Sequence, residues 1–143
     1  MPIRQISIFL ENRKGRLEAI TSILAKAGID IYGLAVADTA EFGILRLIVN
    51  DTTRAEAILK ENGAIPYVCE VTAVEVERAP GGLAKVLALL NSTDINVEYM
   101  YTLAQTQTSN PVLILRFSVP GTAREILRTG GVRLLDEADL CTC

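Results

Sequence analysis

Ile6-Ser-Ile-Phe-Leu-Glu-Asn-Arg-Lys-Gly15-Arg-Leu17 returns later in the chain as Thr72-Ala-Val-Glu-Val-Glu-Arg-Ala-Pro-Gly81-Gly-Leu83, and sliding the sequence by 66 residues (81 − 15) lays one glycine on the other. In both copies an alternating apolar pattern marks a strand, a Gly-Leu step turns the chain, and an amphipathic stretch follows. A second strand then opens at Gly28-Ile-Asp-Ile31 or at Asp94-Ile-Asn-Val97. Two copies of one small unit facing each other would form a paired interface with matching clefts, a place to hold a small molecule.

Working outward, the first copy reads as a strand over Ile3 to Leu10 with Ile6, Ile8 and Leu10 on one face. A helix carries Leu17, Ile20, Leu24 and Ala27 and is stopped by Gly28. Strands Ile29 to Ala37 and Gly43 to Asn50 flank the polar turn Asp38-Thr-Ala-Glu41. Thr52 or Thr53 is the expected cap of a helix bearing Ala55, Ile58 and Leu59, which ends at Asn62-Gly63, and Ile65 to Val71 closes the unit. The second copy gives a strand Val71 to Glu77, a helix Leu83 to Asn91, and strands Ile95 to Thr102 and Val112 to Val119. A helix Thr122 to Arg128 and a short strand Val132 to Leu135 complete it. The register of the repeat drifts because of an insertion in the hairpin Ala104 to Asn110.

The order strand, helix, strand, strand, helix, strand, stated twice, predicts an α+β fold. Two tandem ferredoxin-like βαββαβ units, residues 1–70 and 71–143, are expected to pair side by side into one extended antiparallel sheet with helices on one face. Units of this size are marginal alone, since a ~60-residue domain buries only about 60% of its unfolded surface. Only Cys69-Glu70-Val71 joins them, with no Gly-, Pro- or Ser-rich linker, so one copy's last strand runs into the next copy's first.

Composition removes several function classes. The net charge is −3 and the 14 basic residues are scattered, which leaves no electrostatic footprint for nucleic acid. No apolar run approaches the ~20 residues that span a bilayer, and Met1-Pro-Ile-Arg4 lacks the order of a secretory leader, so the expected compartment is the cytoplasm, with no membrane partner. Cys69, Cys141 and Cys143 cannot all pair internally, and the chain has no histidine to complete a common zinc set, so free thiols are expected and no metal or cofactor. The absence of histidine also removes an imidazole base. Pro80-Gly-Gly82 lacks the spacing of a dinucleotide or phosphate loop, and no carboxylate pair marks an acid-base site, so the chain does not read as an enzyme.

The turns Asn12-Arg-Lys-Gly15-Arg-Leu17 and Arg78-Ala-Pro-Gly81-Gly-Leu83, each followed by a helix and a strand opening in Ile-Asp-Ile or Ile-Asn-Val, resemble those of ACT domains. The family pattern is an acidic or amide residue, Pro-Gly-x-Leu, and an Asn at the head of the second strand. The resemblance covers nearly the whole chain and is to small stand-alone proteins made of two ACT domains. It implies regulatory binding of a free amino acid between the first strand-helix loop of one unit and its partner unit, with domains pairing through their second strands and a homodimer as the expected assembly. The alternative it leaves open is a ligand-independent regulatory or assembly subunit that docks on a biosynthetic enzyme.

Under that resemblance the candidate ligand-binding residues are Asn12, Arg13, Lys14, Gly15, Arg16, Leu17, Asp30 and Ile31 in the first copy, and Arg78, Pro80, Gly81, Gly82, Leu83, Asn96 and Val97 in the second. A zwitterion needs donors for its carboxylate and acceptors for its ammonium. Glycine at a helix N-terminus lets open N–H groups supply the former, and the side-chain amides of Asn12 and Asn96 offer both. Asn12 is expected to oppose Asn96, and Arg78 to oppose Asp30; the last two either bind ligand or satisfy each other. Lys14 stands where Pro is usual and Arg78 where Asp is usual, which loosens the first turn and removes an ammonium acceptor from the second. Tyr32, Tyr99 and Tyr101 are candidates to line a ligand side chain or simply to pack.

Overall fold

The computed structural model describes residues 2–11, 13–38, 42–104 and 106–140, and packing divides the chain into two compact units, Arg4–Cys69 and Met1–Ile3 with Glu70–Cys143. Asn12, residues 39–41 of the first hairpin and the Cys141-Thr142-Cys143 tail lie outside the described residues.

In the first unit the alternation of the sequence becomes β1 (Ile3–Glu11), β2 (Ile31–Asp38) and β3 (Phe42–Val49), and the unit closes with the start of β4 (Pro66–Glu75). The sheet order is β2-β3-β1-β4, with β1 and β2 both antiparallel to β3. Ile6 and Ile8 sit opposite Leu47 and Leu45, so the apolar period of two lands on one face. That face is covered by α1 (Arg16–Lys26), which buries Ile20 and Leu24, and by α2 (Thr52–Glu61), which buries Ala55 and Leu59. Each fully buried leucine is worth about 1.5–3 kcal/mol in burial alone.

Local chemistry sets the helix ends. After α1 the Ile29 N–H donates to Leu24 O and the Gly28 N–H to Ala25 O, both at 3.0 Å, a Schellman closure that brings Ile29 back onto Leu24 in the core. Ala64 to Leu59 and Gly63 to Lys60 repeat it after α2. The start of α2 differs from expectation: Asp51 is the cap, its carboxylate accepting the Arg54 N–H at 3.1 Å, while Thr52 is already helical and buried.

In the second unit β4 continues unbroken, and its end pairs antiparallel with β6 (Val112–Phe117), which pairs with β5 (Val97–Thr102). β7 (Leu134–Leu135) lies antiparallel on β4. The helices α3 (Gly82–Ala88) and α4 (Pro120–Thr129) bury Val86, Ala123 and Leu127 against Val74, Val76, Leu113, Leu115 and Phe117. α3 ends earlier than its sequence period suggests. Residues 89–93 tighten into i to i−3 bonds, and the Thr93 hydroxyl donates to Leu90 O at 2.6 Å. A short α5 (Glu137–Leu140) was not expected. Asp136 and Asp139 hold its start reciprocally, each side chain accepting the other's backbone N–H. Two ferredoxin-like units, each with its helices on one face of an antiparallel sheet, are therefore present.

The insertion between β5 and β6 is fastened to β4. The Thr108 hydroxyl donates to Glu75 Oε1, and Arg133 Nη1 donates to Glu75 Oε2 at 3.1 Å. Thr108 and then Arg133 hold the Glu75 carboxyl below the usual glutamate range, against the upward pull of burial. A lowered carboxylate contributes its stability fully above its ordinary value of about 4.3 and loses it as pH falls through the lowered folded value. Thr108→Val should lower stability at neutral pH, and its deficit should shrink as the pH falls below about 4, read by urea titration at both pH values. In the first unit, Leu24→Ala should lose about 2–5 kcal/mol in the same assay. Leu17→Ala, at a 42% exposed residue, should stay within about 0.5 kcal/mol.

Candidate functional site

The two strand-helix turns have one backbone. Gly15 has φ 91 and ψ −11, and Gly81 has φ 86 and ψ 0, a left-handed conformation that costs other residues about 1–2 kcal/mol. The hydrogen bonds repeat pair by pair: Arg13 N–H to Glu11 O and Ala79 N–H to Glu77 O, Arg16 to Arg13 and Gly82 to Ala79, Ala19 to Gly15 and Lys85 to Gly81. Lys14 therefore occupies the same turn as Pro80.

Among the described residues no side chain caps either helix. The Leu17 and Glu18 N–H groups, in the first turn of an eleven-residue helix, have no backbone acceptor among the described residues and carry its positive dipole end. The second turn is not equivalent in this respect, because α3 has only seven residues. Gly82 is also held for packing: a Cβ there would sit 2.1 Å from the Glu77 carbonyl oxygen.

Arg16 joins the first turn to a cavity of about 170 Å³ whose walls include Phe9, Ile20, Ala64, Ile65 and Tyr67. The Arg16 Nε atom is buried and has no hydrogen-bond partner among the described residues. Phe9 and Tyr67 meet edge to face with centroids 5.9 Å apart and form the aromatic wall. An apolar recess with one unpaired guanidinium donor beside open helix N–H groups can take a carboxylate together with an apolar body. Sequence reasoning passed over Phe9 and Tyr67. The one signal in the sequence was the alternation that puts Phe9 on the face opposite Ile6, Ile8 and Leu10; in the structure both rings are more than half exposed.

The heads of the second strands are also built alike. The Asp30 N–H donates to Asn50 Oδ1 and the Asn50 N–H to Asp30 O; the Asn96 N–H donates to Ser118 Oγ and the Ser118 N–H to Asn96 O, at 2.9 to 3.1 Å. Immediately after each head the ladder is irregular, between Ile31 and Gly33 and between Val97 and Tyr99. Bulges at such places re-aim side chains. The clamp uses the main chain of Asp30 and Asn96, and both residues are exposed, so the Asn96 amide is left for other use. Arg13 is exposed and pairs with Glu11 at 3.5 Å; Arg78, Pro80 and Gly81 are exposed, while Gly82 is buried and Leu83 half-buried. Ile31 and Val97 are half-buried. Tyr32 is 6% exposed, which makes it core rather than a pocket wall, and Tyr99 and Tyr101 are half-buried on β5. Among the described residues no group of three or more Cys, Asp or Glu is placed to hold a metal, and no helix is long and apolar enough to cross a membrane.

A family model described as an ACT domain pair matches residues 1–143. The crystal structure of protein BT0572 from Bacteroides thetaiotaomicron is similar over 100% of this chain and 98% of its own, at 38% identity and a TM-score of 0.91. The regulatory subunit of aspartate kinase from Thermus thermophilus, in ligand-free form, shares the fold at 18% identity and a TM-score of 0.65, with 92% of each chain covered. The corresponding subunit from Thermus flavus does so at 17% identity and 0.62, with 90% of each covered. No curated protein matches the chain.

The two kinds of glycine constraint separate experimentally. Gly15→Ala should cost about 1–2 kcal/mol from left-handed strain alone. Gly82→Ala should cost more, about 2–3 kcal/mol, because backbone must move. Denaturant titration of the two variants checks the order.

Proposed function

This chain belongs to the ACT domain pair family, and from that premise we propose that it is a non-catalytic regulatory protein that binds a free amino acid at the Gly15 turn. One observation carries the reading: the open Leu17 and Glu18 N–H groups lie in the same first helical turn as Arg16, whose unpaired buried Nε borders an apolar cavity. The α-carboxylate takes the N–H groups and the guanidinium. Asn12 supplies the ammonium acceptor, and the side chain enters the recess walled by Phe9 and Tyr67. The apolar walls favour an amino acid with a small apolar side chain over a charged one.

A second reading rests on a different feature. In its sheet β2 pairs only with β3 among the described residues, and Leu34 and Val36 on it are 47% and 51% exposed. An apolar strand with an open edge suits pairing with a second copy or with a separate metabolic enzyme. That is the property of an assembly subunit.

Thermal melting against each of the twenty amino acids at millimolar concentration separates the two. Ligand at 100-fold its Kd stabilises by about 2.7 kcal/mol, which at roughly 2–4 °C per kcal/mol gives a shift of several degrees. One or two related amino acids should raise Tm, and Arg16→Ala and Asn12→Ala should abolish the rise while leaving the ligand-free Tm close to wild type. Asn96→Ala asks whether the strand head of the second unit contributes. A flat panel with a dimer in sedimentation would sink the sensor reading in favour of the assembly subunit.

A further inference from the structure

A polar cavity lies in the second unit, between β4, β7 and α4. It has a volume of about 290 Å³, and Val71, Thr72, Leu134, Arg124, Arg128 and Asp136 are among its walls. It shares no residue with the cavity at Arg16. Its volume is far above the roughly 10–15 Å³ that a single water needs.

Two of its polar groups are unspent. Thr72 is only 3% exposed and its Oγ1 has no hydrogen-bond partner among the described residues; Arg124 Nη1 is buried and likewise without a partner among them. The other two are engaged: Arg128 pairs with Glu125 at 3.3 Å, and Asp136 accepts the Asp139 N–H at the start of α5. A buried donor without an acceptor is an expense that folded proteins almost always avoid.

The repeat supplies an internal comparison. Thr72 stands 66 residues after Ile6, which fills the matching place in the first unit and is fully buried in its core. The second copy therefore carries a hydroxyl where its twin has hydrocarbon, at a core-facing position beneath a helix that brings an arginine. In β4 Thr72 sits opposite Leu115.

We propose that this cavity binds a small organic carboxylate, one oxygen accepting from Arg124 Nη1 and the other from Thr72 Oγ1, with the carbon skeleton against Val71 and Leu134. A planar carboxylate suits a guanidinium edge and a hydroxyl that both donate. The Asp136 carboxylate in the wall opposes a dianion, so a monocarboxylate is favoured over phosphate.

The test titrates the full chain with sodium acetate and, separately, with inorganic phosphate at matched ionic strength, following backbone amide NMR shifts. Acetate should give saturable shifts at Val71 to Ala73 and Leu134 to Asp136. Arg124→Gln should weaken this binding about tenfold or more, as expected for a hydrogen bond to a charged group. Thr72→Val should weaken it too, while raising the ligand-free melting midpoint because an unsatisfied hydroxyl has been removed. Absence of saturation at these amides, an unchanged response in Arg124→Gln, tighter binding of phosphate than of acetate, or a lowered ligand-free midpoint in Thr72→Val would each overturn the proposal.

Discussion

The left-handed glycine between the first strand and first helix of each unit is the constraint on which the rest depends. It reverses the chain within a few residues, so that Ile20 and Leu24 come down on Ile6 and Ile8 in one unit, and Val86 comes down on Val74 and Val76 in the other. An N-cap serine or aspartate would have satisfied a helical N–H. Glycine leaves those donors open. In the first unit the same residue thus docks the helix and leaves a positive helix end open, so that packing and open donors come from one backbone conformation.

Much of the fold was readable because the dominant signals are local. The alternation of Ile6, Ile8 and Leu10, the helical spacing of Leu17, Ile20 and Leu24, and the stops at Gly28 and Gly63 all report interactions within a few residues of themselves. The misread ends were competitions between neighbours of similar chemistry. Asp51 and Thr52 are both good caps, and only the burial of Thr52 decides between them. The early end of α3 depends on the Thr93 hydroxyl reaching Leu90, in a stretch whose apolar spacing favours continuing the helix. The pair Asp136 and Asp139 was a visible capping signal for α5, masked by how short that helix is.

The candidate site was less legible, for a different reason. Residue type and the family resemblance put Gly15, Arg16 and the strand heads forward as candidates, but a cavity is a property of residues far apart in sequence. Phe9 and Tyr67 become a wall only when β1 and β4 are placed, and Ala64 and Ile65 only when α2 ends where it does. The clamps at Asp30 and Asn96 were hidden in the same way, since each needs a partner at the end of the following strand, Asn50 or Ser118. Polarity alone did not distinguish a side chain spent on structure from one left unspent.

A repeated fold makes that distinction possible within one molecule. Where the copies agree despite different sequences, as in the turn hydrogen bonds shared by Arg13-Lys-Gly-Arg16 and Ala79-Pro-Gly-Gly82, the agreement marks what the ferredoxin-like unit requires. Asn50 and Ser118 belong to this group, because different side chains perform the same clamp. Where the copies differ without structural compensation, the difference marks something the fold does not need. Arg16 in the first unit has no counterpart at Gly82, where a carbonyl fills the space, and Thr72 in the second has an isoleucine as its twin. Each places an unpaired donor beside a cavity, and among the described residues each does so in one copy and not the other. The two halves have kept a common frame and diverged in where they leave hydrogen-bonding capacity unused.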